Sequence, residues 1–227
     1  MTKPVIELQN VSFSYGEIPA LRDITLTVSE GEVVALEGSN GCGKSTLLRL
    51  INGLIFPDAG TYVFEGTPIT EKALKDNLFA KQFHQKLGFV FQNADVQLFC
   101  ASVEEEIAFG PLQMGLSEEE AKQRTNDVLS LLELEALRER PPYQLSGGEK
   151  RKVALGCILS MNPKVLVLDE PLAGLDRRTQ DWLLAFLKTL KSAGRTMVLA
   201  THNEELAAAL ADRRILFTDD HTLAGTI

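Results

Sequence analysis

Apolar and polar positions partly alternate from Val5 to Tyr15 and again from Leu21 to Val28, with Gly16 as a turn between them. That period of two predicts a pair of antiparallel strands. A second pattern is the near-continuous apolar run: Glu32–Glu37, Leu87–Gln92, Lys164–Pro171 and Thr196–His202. Such runs read as strands buried on both faces, which is the habit of a parallel sheet. Thr61–Gly66 adds a short strand after a turn at Phe56–Gly60. Between these runs the period becomes helical: from Thr46 to Ile51, Val103 to Phe109, Glu118 to Leu132, Gly147 to about Met161, Trp182 to Leu190 and Glu204 to Leu210. Ser117, with Glu120 three residues on, carries a capping-box pattern. The stretch from Glu71 to Gln85 is polar and mixed and predicts no single form. Ile215–Phe217 and Thr222–Ile227 predict a closing hairpin around Asp219-Asp220. Strands alternating with helices imply an α/β fold with a mainly parallel central sheet.

Composition narrows this picture. The 227 residues suffice for one α/β domain with a sizeable core. Acidic residues outnumber basic ones by 31 to 23, a formal net charge of −8, which argues against a non-specific nucleic-acid binder. The N-terminus carries no signal pattern, and no apolar run is long enough to cross a bilayer. The expectation is a cytoplasmic chain that serves a membrane, if at all, by docking onto a partner. Cys42, Cys100 and Cys157 are far apart and odd in number, so free thiols are expected.

Chemistry gathers at the ends of the apolar runs. Gly38-Ser39-Asn40-Gly41-Cys42-Gly43-Lys44-Ser45-Thr46 fits the phosphate-loop pattern and lies between a predicted strand and a predicted helix. Glycines let such a loop wrap backbone N–H groups around phosphates, and the helix start adds its positive end. Lys44 is expected to neutralise the β- and γ-phosphates of ATP, Ser45 to hold Mg²⁺, and Thr46 to donate to the α-phosphate. Asp169 ends an apolar strand and is placed to organise Mg²⁺; Glu170 follows and can polarise a water for attack. Gln92 and His202 end two further strands, within reach of the metal or water and of the γ-phosphate respectively. Carboxyl ends of parallel strands share one edge, so these segments converge on one nucleotide site. Tyr15 is a candidate to stack on the adenine ring. Ser146-Gly147-Gly148-Glu149 opens a helix as a second phosphate-binding surface. One nucleotide has little room for two such surfaces from one chain, which implies a dimer whose chains cover each other's ATP.

In this order the motifs resemble the ATP-binding cassette (ABC) ATPases over essentially the whole chain. Tyr15 matches the adenine-stacking aromatic, Gly38–Thr46 Walker A, Gln92 the Q-loop, Leu145–Glu149 the signature, Val165–Asp169 Walker B, Glu170 the catalytic glutamate, Ala173–Asp176 the D-loop and His202 the switch histidine. The resemblance implies a single P-loop NTPase domain over residues 1–227. Its parts are an N-terminal antiparallel β subdomain and a helical signature subdomain near 93–161. Catalysis would fall to Glu170, His202 and Gln92, with Mg²⁺ on Ser45, Gln92 and Asp169. Phe91–Phe99 and Ser102–Pro111 resemble the ATPases of energy-coupling factor (ECF) importers for vitamins and transition-metal ions. That implies a homodimer or heterodimer with a second ABC ATPase. It also implies a membrane coupling subunit, a membrane substrate-binding subunit and a place at the cytoplasmic membrane face. Glu149 stands where the wider family most often has glutamine, and Glu37 sets a carboxylate beside the phosphate loop, unfavourable unless it finds a partner.

Leu98 and Phe99 predict apolar surface near Gln92, a groove with Asp95 or Glu105 at its rim suited to a basic helix of a membrane subunit. Other ABC importers or exporters remain alternatives. A nucleic-acid or ribosome-associated ABC protein is a further one, lacking here the tandem cassettes, long insertions or basic extensions usual in that class.

Overall fold

The computed structural model describes residues 3–226; Ile227, the end of the last predicted strand, lies outside the described residues. The chain begins with β1 (Pro4–Tyr15), β2 (Ile18–Ser29), β3 (Val33–Glu37) and α1 (Lys44–Ile51). Next come β4 (Ala59–Phe64), β5 (Thr67–Pro68), α2 (Glu71–Leu74), α3 (Asn77–Lys86) and β6 (Leu87–Val90). A helical stretch holds α4 (Val103–Gln113), α5 (Glu118–Leu131) and α6 (Gly147–Leu159). The chain then runs through β7 (Val165–Asp169), α7 (Arg177–Ser192), β8 (Thr196–Ala200), α8 (Glu204–Leu210), β9 (Arg213–Phe217) and β10 (Leu223–Thr226).

Two sheets result. One is antiparallel in the order β2-β1-β4-β5; the other runs β10-β9-β3-β8-β7-β6 and is parallel except at β10. The apolar runs build the second sheet because each supplies two buried faces. Val34, Leu36, Val165, Val167, Val198 and Ala200 pack into the layer that holds α1 and the antiparallel sheet. Their neighbours Val33, Ala35, Leu166, Leu168, Met197 and Leu199 pack against the side of α4 to α8. A strand places successive side chains on opposite faces, so a sheet covered on both sides needs apolar residues at every position.

Register aligns the strand ends. Leu36 pairs with Ala200, Ala200 with Asp169, and Leu168 with Val90. The segments that follow, from residues 38, 91, 170 and 201, therefore leave the sheet along one edge.

Several boundaries differ from the sequence pattern for identifiable reasons. Residues 71–85 form two short helices, capped by Thr70 on Ala73 N–H and by Asp76 on Leu78 and Phe79 N–H. Only Phe83 of their residues is buried, so no apolar period marks them. Helix α4, expected to end at Phe109, continues through Gly110-Pro111 to Gln113. Helix α7 starts at Arg177, earlier than Trp182, because Asp176 caps it by accepting from Thr179 N–H and its first residues are exposed. The predicted capping box of Ser117 and Glu120 is present.

Gly88 permits the tightest approach between β6 and the helical layer. A Cβ there would stand 2.2 Å from Ile158 Cγ2 and 2.9 Å from Pro163 Cγ. Gly88→Ala must push β6 off α6 and is expected to cost about 1–3 kcal/mol, the usual range for overpacking. A urea midpoint equal to that of the unmodified chain would contradict this reading.

Candidate nucleotide site

Between β3 and α1 the chain turns through Gly38, Gly41 and Gly43, with φ of +142°, +83° and +121°. Two of these glycines are also dictated by space. A Cβ on Gly38 would lie 2.8 Å from the Phe217 carbonyl oxygen, and one on Gly43 2.5 Å from that of Ala20. Lys44 is buried at the start of α1, and its Nζ donates to the carbonyls of Gly38 and Ser39, each at 2.8 Å. No side chain caps α1. Its first-turn N–H groups thus remain available to an anion, beside a lysine charge already held in place. Cys42 is buried in the core behind the loop, as a small space-filling residue.

Glu37 ends β3 and is nearly fully buried, where an unpaired carboxylate would be costly. Arg214 of β9 removes that cost with a two-pronged pair: Nε to Oε1 at 2.6 Å and Nη2 to Oε2 at 2.7 Å. The planar guanidinium fork matches the carboxylate, and the pair raises the Arg214 pKa. The partner that the sequence reading required is therefore present.

Across the cleft stand the ends of β7 and β8. Ser45 Oγ donates to Asp169 Oδ1 at 3.0 Å. Burial pushes the Asp169 carboxyl above its usual range and neighbouring Glu170 adds to the rise, while the Ser45 hydroxyl opposes it. Glu170 is buried with a left-handed backbone, φ +45°, and its Oε2 lies 2.9 Å from His202 Nδ1. Gln92 follows β6 in an exposed loop rather than within the strand. A cleft of about 420 Å³ is lined by Asn40, Gly41, Gly43, Lys44, Ser45, Thr46, Gln92, Glu170 and His202. Distant segments thus meet at one place, as expected from the shared strand edge.

The sequence profile of the family described as "ABC transporter" matches residues 21–173. The chain belongs to the ABC transporter family. It is an ATP-binding subunit, and its enzymatic activity is ATP hydrolysis coupled to transport. The Nickel import ATP-binding protein LarO of Lactiplantibacillus plantarum is 48% identical over 217 residues, covering 96% of this chain and 90% of that relative. Among solved structures, cbiO1 from Clostridium perfringens, described as part of the ABC transporter complex cbiONQ, superposes with a TM-score of 0.86 at 32% identity. That match covers 98% of this chain and 88% of the other. The MJ0796 cassette, described as a dimer in a post-hydrolysis state with ADP and Pi, gives a TM-score of 0.86 at 31% identity, covering 98% and 97%. Among the described residues no helix is long and apolar enough to cross a membrane.

Not every site residue expected of an ABC ATPase lines the cleft. Tyr15, at the end of β1, packs edge-to-face on Phe13, and its hydroxyl accepts from Arg49 at 3.3 Å. Gly38 and Ser39 contribute through the carbonyls that hold Lys44. Ser146, Gly148, Glu149 and Asp176 line a different cavity, of about 350 Å³, together with Lys152, Thr179 and Trp182. The two cavities share no residue. Glu149 also does more than face solvent: its Oε2 accepts from Ser146 N–H at 2.7 Å while Ser146 Oγ accepts from Glu149 N–H. This capping box, through the Ser146 N–H above all, holds the Glu149 carboxyl below its usual range. Glutamate and glutamine serve equally in a capping box, which accounts for the carboxylate at this position.

Arg151 is the residue that sequence reading passed over. It is buried on α6, and its guanidinium donates to the carbonyls of Phe91 and Gln92, the latter at 2.6 Å. The signal was available: Arg151, Ala154, Leu155 and Ile158 share one buried helical face, and an arginine there needs an acceptor. Residue clusters of a metal-binding kind, with three or more His, Cys, Asp or Glu, are absent among the described residues. All three cysteines are free.

Asp169 supplies a test. Its carboxyl is raised, so folding favours the protonated form. That contribution is complete below the unfolded pKa and disappears as pH rises through the folded one. At neutral pH the ionised Asp169 is therefore a net burden on the fold. Asp169→Asn, which keeps an acceptor for Ser45, is expected to melt at a higher temperature than the unmodified chain at pH 7.5 without nucleotide, and to lose ATPase activity. A lower melting temperature would contradict the reading of the ionised Asp169 as a burden on the fold.

Proposed function

We propose that this chain is the motor subunit of an ECF-type importer for a transition-metal ion or vitamin, with two cassettes closing on ATP. The observation that carries the reading is the cleft joining Asn40–Thr46 with Gln92 and the Glu170–His202 pair. The nickel-import relative and the similarity to cbiO1 favour a metal-ion importer among the alternatives.

Residues 38–46 would hold the ATP phosphates, with Lys44 neutralising charge and the α1 N–H groups donating. Ser45 Oγ and the Asp169 carboxylate are hard oxygen donors already in contact, a set suited to Mg²⁺, with Gln92 nearby. When bound, Mg²⁺ would offset phosphate negative charge. Glu170 would accept a proton from the attacking water, and His202, held on Glu170 Oε2, would fix that carboxylate and face the γ-phosphate. Tyr15 would meet the adenine at the rim. Residues 1–227 would act as one domain, with residues near 93–161 carrying the signature surface.

Ser146, Gly147, Gly148 and Asp176 lie away from the Walker A cleft of their own chain, so their proposed target is the partner's nucleotide. Glu149 then supports this surface by capping it. The dimeric MJ0796 structure favours such an arrangement. Glu170→Gln should bind ATP, lower steady-state hydrolysis at least a hundredfold and accumulate a closed dimer on size-exclusion chromatography. Gly147 has open space around it, so Gly147→Asp fits without clash. Adding it to Glu170→Gln should abolish the ATP-dependent dimer while leaving ATP binding intact. A dimer that survives the second change would exclude the cross-chain reading.

The membrane subunit would dock on an apolar groove of about 570 Å³, whose walls include Phe99, Phe109, Met114, Cys157 and Met161. Phe99 is largely exposed and meets Phe109 edge-to-face. Neither Asp95 nor Glu105 lines this groove, and Asp95 pairs with Lys150 at 2.6 Å. Buried Glu106 instead closes the groove floor, accepting from the N–H groups of Phe99 and Cys100. Phe99→Ala is expected to weaken co-purification with the membrane subunits severalfold while ATP affinity is unchanged. Undiminished assembly would place docking elsewhere.

A further inference from the structure

The turn between β9 and β10 touches the phosphate loop from behind, at two points. Ser39 Oγ donates to the Asp219 carboxylate. His221 Nδ1 lies 3.1 Å from the Cys42 carbonyl oxygen. A carbonyl only accepts, so Nδ1 carries the proton in this contact. Residues 39 and 42 bracket Asn40 and Gly41, which line the nucleotide cleft, whereas Asp219 and His221 do not line it. Phe217, just before the turn, backs both Gly38 and Gly43.

The turn is itself well fixed. Thr218 N–H donates to the Thr222 carbonyl at 2.9 Å, the two threonine hydroxyls lie 2.8 Å apart, and His221 N–H donates to the Thr218 carbonyl at 3.1 Å. Arg22 N–H donates to the His221 carbonyl at 2.9 Å, which ties the turn to β2 as well. His221 has φ +63°, a conformation that favours glycine. A side chain held in such a conformation, with its ring on the loop backbone, points to a use for that ring.

We propose that the 218–222 turn is a positioning element of the phosphate loop, acting through Asp219 on Ser39 and His221 on Cys42. The loop contains three glycines at positive φ and is intrinsically the most adaptable part of the cleft. Anchoring it at residues 39 and 42 sets its shape before nucleotide arrives, so less ordering cost is charged to binding. The proposal rests on the reading of residues 38–46 as the ATP-phosphate loop.

Calorimetric titration of the full chain with MgATP, alongside thermal melting, tests it. Asp219→Ala is expected to weaken ATP binding by about three- to tenfold, the range for a single hydrogen bond. Asp219→Asn keeps an acceptor for Ser39 and should recover most of that loss. His221→Gly separates positioning from mere support. Glycine relieves the positive φ, so the melting temperature holds or rises while ATP affinity falls. Loss of affinity only in proportion to a fall in melting temperature would overturn the proposal. Unmodified affinity in both Asp219→Ala and His221→Gly would overturn it too. Lys44→Ala serves as the control on the underlying reading. If it weakens ATP binding strongly while the turn variants bind normally, the turn alone is excluded; if it binds normally, the assignment of the loop fails first.

Discussion

Parallel pairing of β3, β8, β7 and β6, with their carboxyl ends in register, is the constraint on which the site depends. Leu36 stands beside Ala200 and Ala200 beside Asp169, while Val90 stands beside Leu168, one residue earlier on the same strand. Whatever follows each of them must emerge at the same edge. The chain uses that edge for a glycine loop, a glutamine, two successive carboxylates and a histidine. Hydrogen bonds within the sheet thereby bring together residues separated by more than a hundred positions in sequence. Small movements of one strand relative to its neighbour would misplace the corresponding group by a comparable amount.

Charge is concentrated where the core is dense. Glu37, Lys44, Arg151, Asp169 and Glu170 are all buried near this edge. Each has an answer to desolvation. Glu37 has Arg214, Lys44 has two carbonyls, Arg151 has the backbone of residues 91 and 92, and Glu170 has His202. Asp169 has a single hydroxyl and retains a raised pKa. It is the least satisfied member of the group, which is the usual condition of a group kept ready for a ligand.

Most of this architecture could be read from the chain because its signals are local. Buried strands write themselves as unbroken apolar runs, and the phosphate loop requires glycines at fixed spacing. The Ser117 cap likewise lies within four residues of its partner, whereas the equally local Ser146–Glu149 box is hidden behind the segment's reading as a phosphate-binding surface. What escaped was set by distance. Arg214 and Glu37 are 177 positions apart, and no pattern in either segment names the other. The anchoring of residues 39 and 42 by 219 and 221 is equally remote. Helices α2 and α3 escaped for a different reason: with almost nothing buried, they carry no period. Tyr15 reads in sequence as an ordinary strand aromatic, and the contacts that set its ring, Phe13 and Arg49, belong partly to a distant helix.

The left-handed backbone at Glu170 has a consequence of its own. An extended chain would send two successive carboxylates to opposite faces of the sheet. One residue at φ +45° breaks that alternation, so Glu170 reaches His202 while Asp169 reaches Ser45. Glycine would occupy the same conformation without strain. Glycine there would ease the backbone but forfeit the carboxylate and with it the contact to His202. At a single dihedral angle, backbone ease and the pairing of two strand ends are set against each other.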